Sequence, residues 1–246
     1  MSRHQHIINH LFAFFEHCSE NSTSKLLVNK HFKTITTEDS SWPNFIFDVQ
    51  LNNNSIPEIT ETISNRPQLN HIILDEKQLE ENEDLLTQYG FIPLAEWACL
   101  EFDNSTTLKQ NHNNLTIKTT SPKDLKDWIG VASSGFKALS LELFKNLLSS
   151  KNTTLYSGYH QNKLIATALL FKHNNTAGIY HVVTHPNYRN KGFGAEIFSF
   201  CEQEALKNKA DRVIAQSTQE GLNTWIDTGM KQYGNFYLLC WNKPKQ

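Results

Sequence analysis

His181-Val182-Val183-Thr184-His185-Pro186-Asn187-Tyr188-Arg189-Asn190-Lys191-Gly192-Phe193-Gly194 follows an apolar, strand-like run and leads into a helical pattern. In a strand-to-helix turn of the form R-x-x-G-x-G, the glycines let the backbone approach a ligand, and the first helical amides point outward unpaired. Those amides carry the positive end of the helix dipole, so they favour a phosphate group. Arg189 and Lys191 add charge beside it, and a pyrophosphate suits the turn.

Residues 177–184 read as the last of three strands, after 154–159 and 163–172, with the first two joined by the polar turn His160-Gln161-Asn162. This predicts an antiparallel meander. Residues 192–207 read as a helix with Ile197, Phe198, Cys201 and Ala205 on one stripe, and 213–215 resume as a strand. Strand, crossover helix and strand imply parallel pairing there. A short helix over 221–228 and a strand over 232–241 close the chain. Upstream, 115–118 read as a strand, Ser121 as an N-cap with Pro122 in the first turn of a helix to about Ser134, and 139–148 as a second helix.

The residues Arg189, Gly192 and Gly194 meet the signature [QR]-x-x-G-x-[GA] in full, so the sequence resembles the GNAT superfamily of acyl-CoA-dependent N-acyltransferases over about residues 113–246. Thr184-His185-Pro186-x-x-Arg189 resembles the usual lead-in. Gln216-Ser217-Thr218, Gly221, Trp225 and Gly229-Met230 resemble a second pattern of the family, although Trp225 stands where many relatives have Tyr and Met230 where Phe is usual. The resemblance implies an α+β fold, a mixed and mostly antiparallel sheet flanked by helices, with an N-terminal α/β half packed against it. It implies acetyl-CoA as co-substrate and a primary amine as acceptor, joined by direct attack in a ternary complex. The cofactor contacts it implies are Val182, Val183, Thr184, Arg189, Asn190, Lys191, Gly192, Phe193, Gly194, Ala195 and Thr218. The pantetheine arm would pair with the strand 179–184, and a backbone N–H at Val182 or Val183 would stabilise the oxyanion.

The proton path is less legible, because the indole of Trp225 cannot replace a phenol as the acid. His181 is the candidate base: its ordinary pKa of about 6.5 suits proton transfer, and strand alternation turns its neighbour Tyr180 to the other face. A packed or partly exposed strand residue is the alternative reading of His181, and water is the alternative carrier of the proton. A catalytically silent GNAT-like module that binds CoA or a partner protein is the alternative reading of the whole domain.

Residues 104–114 form a polar stretch and divide a first half, 1–110, from the domain at 113–246. The first half reads as helices over 7–17, 56–63 and 79–89 and strands over 45–49, 71–74 and 94–102. Tyr89-Gly90-Phe91 before its last strand parallels Gly229-Met230 before the closing one, which suggests an internal, degenerate GNAT-like repeat without the glycine loop. Trp42, Phe45 and Trp97 either wall the acceptor pocket or fill the core.

Composition narrows the classes. The chain has 246 residues, 39% of them hydrophobic, which suits a packed core. Its net charge of −2 gives no basic field for nucleic acid. The mixed run from Ile7 to Phe15 is too short and interrupted for a membrane span or signal peptide. Cys18, Cys99, Cys201 and Cys240 form no C-x-x-C pair, which excludes a zinc knuckle and predicts free thiols in the cytoplasm. Cys201 falls on an apolar stripe and reads as core, not nucleophile. His4, His6 and His10 lack a carboxylate or cysteine to complete a metal site and read as a solvated terminus.

Overall fold

The computed structural model describes residues 1–20, 23–102 and 114–243; the join expected at 104–114 lies, apart from Asn114, outside them. The first half runs α1 (Arg3–Cys18), β1 (Ser24–Val28), β2 (Lys33–Thr37), β3 (Phe45–Phe47), α2 (Ser55–Asn65), β4 (His71–Asp75), α3 (Glu76–Glu81), α4 (Glu83–Gln88) and β5 (Phe91–Phe102). The second runs β6 (Thr116–Thr119), α5 (Leu125–Phe136), α6 (Leu141–Ser149), β7 (Thr153–His160), β8 (Lys163–His173), β9 (Thr176–Thr184), α7 (Phe193–Lys207), β10 (Arg212–Thr218), α8 (Gln219–Asp227) and β11 (Met230–Trp241).

Among the described residues the eleven strands form one sheet in the order β1-β2-β3-β4-β11-β5-β10-β9-β8-β7-β6. The pairs β3–β4 and β9–β10 are parallel, each joined by one helix, and the remaining pairs are antiparallel. The fold is therefore α+β with a mostly antiparallel sheet. The meander and the parallel crossover are present, and Gln161 and Asn162 turn the β7–β8 hairpin with φ of 49° and 64°, a left-handed pair matched to strand twist.

The two halves exchange their closing strands. β5, the last strand of the first half, lies between β10 and β11, and β11 lies between β5 and β4. The units β3-α2-β4-α3/α4-β5 and β9-α7-β10-α8-β11 repeat the same sequence of elements. A glycine at positive φ precedes each exchanged strand, Gly90 at 83° and Gly229 at 110°.

Helices cover both faces. α1, α5 and α6 pack on one face through Phe14, Phe15, Trp128 and Phe144, with Ile35, Phe47 and Ile73 of the first half in the same core. α7 and α8 cover the other face through Ile197, Phe198, Cys201 and Ala205, packed on Ala98, Leu100, Ala215 and Met230. Burying one such aromatic contributes roughly 1.5–3 kcal/mol, so a core shared by the halves binds them firmly.

Some expectations change. β1 and β2 had no clear periodicity, and β1 is an edge strand with Leu27 and Val28 exposed. The helix expected over 79–89 is two short ones separated at Asn82. Ser121 is not an N-cap; its hydroxyl donates to Asp124, and α5 begins at Leu125. The early histidines are not a solvated terminus. His10 is buried, His6 Nε2 lies 3.0 Å from Thr176 Oγ1, and His4 Nε2 donates to the Asn235 carbonyl oxygen at 2.8 Å, because the apolar face of α1 carries them onto the sheet. Among the described residues no His, Cys, Asp and Glu group forms a metal site, and no helix is long and apolar enough to cross a membrane.

Candidate active site

The β9–β10 ladder runs from Arg212↔Thr176 to Ala215↔Ile179 and stops. Beyond it Gln216, Ser217 and Thr218 pair with β5 instead, at Cys99, Ala98 and Trp97. The sheet thus opens beside residues 180–184, and a cavity of about 610 Å³ occupies the gap and reaches both faces.

At one mouth stands the N-terminus of α7. Gly192 is its N-cap with φ of 82°, and no side chain caps the helix. A Cβ on Gly192 would meet nothing within 4 Å, so the space beside this uncapped first turn is open. Arg189 is held beside them, its Nε donating to the Thr184 carbonyl at 3.1 Å and its Nη2 to that of Ser134 at 3.4 Å. The α2 N-terminus, the first half's counterpart, is closed by its own chain: Asn52 Oδ1 accepts from the amides of Asn54 and Ser55 at 2.9 and 3.0 Å. An open amide cradle and an adjacent guanidinium suit a diphosphate; the plugged turn at α2 does not.

Of the expected cofactor residues, Val182, Val183, Thr184, Arg189, Asn190, Gly192, Phe193, Gly194, Ala195 and Thr218 line this cavity. Lys191 does not; its ammonium lies 5.7 Å from the centre of the Tyr188 ring. Trp225 lines the cavity with its indole stacked on Phe198 at 4.2 Å.

The strand alternation expected at Tyr180 and His181 fails. Leu169 pairs with Tyr180 and Thr167 with Val183, so two residues of β9 oppose one of β8. This bulge sits at His181, whose φ is 50° and whose carbonyl accepts from Thr167 Oγ1 at 3.0 Å. Tyr180 and His181 therefore both lie on the α1/α5/α6 face. Tyr180 Oη lies 2.9 Å from His10 Nδ1, and His10 Nε2 donates to the Thr176 carbonyl at 3.3 Å. His10 Nδ1 therefore accepts a hydrogen bond from the Tyr180 hydroxyl.

His181 lies in a box of rings, 4.3 Å from Trp42, 4.4 Å from Phe136 and 5.2 Å from Phe144 between centroids. It is 3% exposed, and its Nδ1 has no hydrogen-bond partner. Burial pushes its pKa from 6.5 down to about 3, so the near-neutral value expected of it does not hold, and the imidazole is uncharged at neutral pH. Tyr180 and His10, missed as site residues, have no local signal because they meet across 170 positions of chain. Cys201 is fully buried with its thiol pKa pushed up, consistent with core.

Set beside known proteins, residues 123–225 match the model of the acetyltransferase (GNAT) family, and that stretch is a GNAT domain. The whole chain has the fold of a GCN5-related N-acetyltransferase from Kribbella flavida, with a TM-score of 0.74 and 12% identity over 100% of this chain and 97% of that one. A GCN5-related N-acetyltransferase from Sphaerobacter thermophilus gives 0.67 and 11%, over 90% of this chain and 84% of its own. A functionally unknown conserved protein from Staphylococcus epidermidis gives 0.61 and 13%, over 94% and 98%. The likeness extends through the N-terminal half, which also matches GNAT folds. No curated protein matches the sequence.

Proposed function

We propose that this protein is an N-acetyltransferase that moves an acetyl group from acetyl-CoA to a primary amine, with both substrates bound together. The observation that carries the reading is the uncapped N-terminus of α7 opening onto the gap between β9 and β10. The amides after Gly192, with Arg189, Asn190 and Thr218, would hold the diphosphate, and the backbone of Val182, Val183 and Thr184 would align the pantetheine arm. Acetyl-CoA supplies an acyl carbon activated by its thioester.

The protein then has two tasks. It holds amine and thioester together, which removes much of the entropic barrier. It also manages one proton: as the C–N bond forms and the C–S bond breaks, the acceptor N–H proton passes to His181 Nδ1 and on to the departing sulfur. His181 is suited to this because it is neutral, unpartnered and on the cavity wall. None of the four cysteines is in a disulfide, which fits a cytoplasmic setting.

Calorimetric titration with acetyl-CoA, followed by thiol release across a panel of amines, tests the reading. Heat of binding with turnover of at least one amine supports it; no binding refutes it. Trp225 motivates the second reading, a silent CoA-binding module, since its stacked indole offers no acid at the place where the resemblance expects a phenol. Binding without thiol release on any amine would favour that module.

A further inference from the structure

The cavity has two ends of different chemistry. The end at α7 carries Arg189, the open amides and Glu220. The end on the α1 face is built by Leu11, Phe15, Trp42, Phe45, Ile73 and Phe136, most of them from the first half. Phe15 stacks on Phe45 at 5.2 Å, and Trp42 meets the edge of His181 at 4.3 Å. Tyr180 and His181 are the polar side chains of β9 on this wall, and Tyr180 already shares its hydrogen bond with His10. Among the described lining residues Glu220 is the one carboxylate, and it is exposed on α8 at the other end.

We infer that the acceptor is a weakly basic aromatic amine, an aniline-type nitrogen on a flat apolar ring, rather than an alkylammonium. This rests on the acetyl-transfer reading above and names its acceptor. An alkylammonium entering this end would shed its water with no carboxylate to meet it, at an effective cost of several kcal/mol. Cation–π contact with the rings offsets part of that cost, but among the described lining residues no carboxylate completes the neutralisation at this end. Polyamines and aminoglycosides would incur that cost more than once. A ring with an uncharged amino group incurs none of it and gains about 25 cal/mol for each Å² of apolar surface it buries.

The proton acceptor fits the same choice. His181 lines the cavity from within the aromatic wall with its Nδ1 buried and unpartnered, and burial leaves it a weak base. An aryl nitrogen that has bonded to the acyl carbon gives up its proton more readily than an alkyl nitrogen, so a weak base suffices. The amine lone pair forms the C–N bond, the C–S bond breaks, and the N–H proton travels through His181 Nδ1 to the thiolate.

The test measures thiol release at saturating acetyl-CoA with p-toluidine, tryptamine, spermidine, kanamycin and a lysine peptide, beside calorimetry with acetyl-CoA. The expected result is a kcat/KM for p-toluidine at least tenfold above that for tryptamine, which offers a ring but a charged amine, and at least a hundredfold above spermidine. Acetyl-CoA binding with preferred turnover of tryptamine, spermidine, kanamycin or the peptide overturns this inference alone. No acetyl-CoA binding, or binding with no turnover of any amine, overturns the acetyl-transfer reading as well. Phe45→Glu provides an independent measurement: a carboxylate in the wall should raise the tryptamine-to-toluidine ratio at least tenfold with acetyl-CoA affinity unchanged. An unchanged ratio in a variant that still binds acetyl-CoA overturns the assignment of this end.

Discussion

Trp97 and Phe236 face one another in the β5–β11 ladder with their rings 5.6 Å apart, at the point where the two halves of the chain interchange. Trp97 follows Gly90 at the same distance in sequence as Phe236 follows Gly229, so the pair is its own counterpart under the repeat. On either side of it each half completes the other's sheet, since β10 has β5 as its neighbour and β4 has β11. A backbone ladder of this length leaves many amides and carbonyls unpaired when one partner is missing.

Neither half should therefore fold alone. Residues 1–110 and 113–246 expressed separately are expected to be insoluble or to lack a cooperative thermal transition, and co-expression should recover a soluble complex. Independent cooperative unfolding of the 113–246 fragment would contradict this. In the full chain, Phe236→Ala should cost about 3–5 kcal/mol, the usual loss for a buried aromatic, read from chemical denaturation.

Gly192→Asp should abolish acetyl-CoA binding while preserving the fold. A Cβ added there meets nothing within 4 Å, so the substitution starts in open space, and the strain at φ of 82° amounts to roughly 1–2 kcal/mol. The introduced charge lies where a diphosphate must approach. Gly192→Asn isolates the charge, because it shares the conformational strain but is neutral. Calorimetry should show at least a tenfold larger Kd for the Asp variant than for the Asn variant, equivalent to about 1.4 kcal/mol.

The glycine turn was legible because its chemistry is local: Arg189, Gly192 and Gly194 lie within six residues and determine one another's geometry. The meander and the crossover were legible for the same reason, since each rests on periodicity within a short stretch. The exchange of β5 and β11 was not, because two closing strands of similar pattern do not reveal which neighbour each will choose. The bulge at His181 was hidden in the apolar run 179–183, where one inserted residue changes the facing of its neighbours without changing composition. The docking of His10 depended on Tyr180, 170 positions away.

His181→Ala should lower kcat/KM by about 10²–10⁴, the usual range for a positioned acid–base group. The pH profile should show no acid limb from His181 between pH 5 and 8, since burial holds it near 3. Acetyl-CoA affinity should stay the same, which separates loss of proton transfer from loss of fold. A variant with unimpaired turnover would remove His181 from the mechanism.

Stability should peak near neutral pH because buried histidines and a buried carboxyl act in opposite directions. Burial lowers His10 and His181 from 6.5 to about 3, so the unfolded chain binds two protons that the native state does not, and stability falls as pH drops from 6.5 toward 3. Glu202, fully buried with one oxygen unpartnered, is raised by burial from 4.5 to about 8, so the native state keeps a proton that the unfolded chain loses. Its contribution is present below pH 4.5 and is lost as pH rises to 8. Each proton corresponds to about 1.4 kcal/mol per pH unit at most. Below 6.5 these histidines, joined by His6 and His71, which burial also lowers, outweigh the one carboxyl, and well above 6.5 the carboxyl acts against stability without them, which puts the maximum near neutrality. Thermal unfolding from pH 4 to 9 should show this maximum, and Glu202→Gln should flatten the alkaline side while leaving the acid side steep. A wild-type Tm that climbs steadily from pH 6.5 to 8 would contradict the assignment of Glu202.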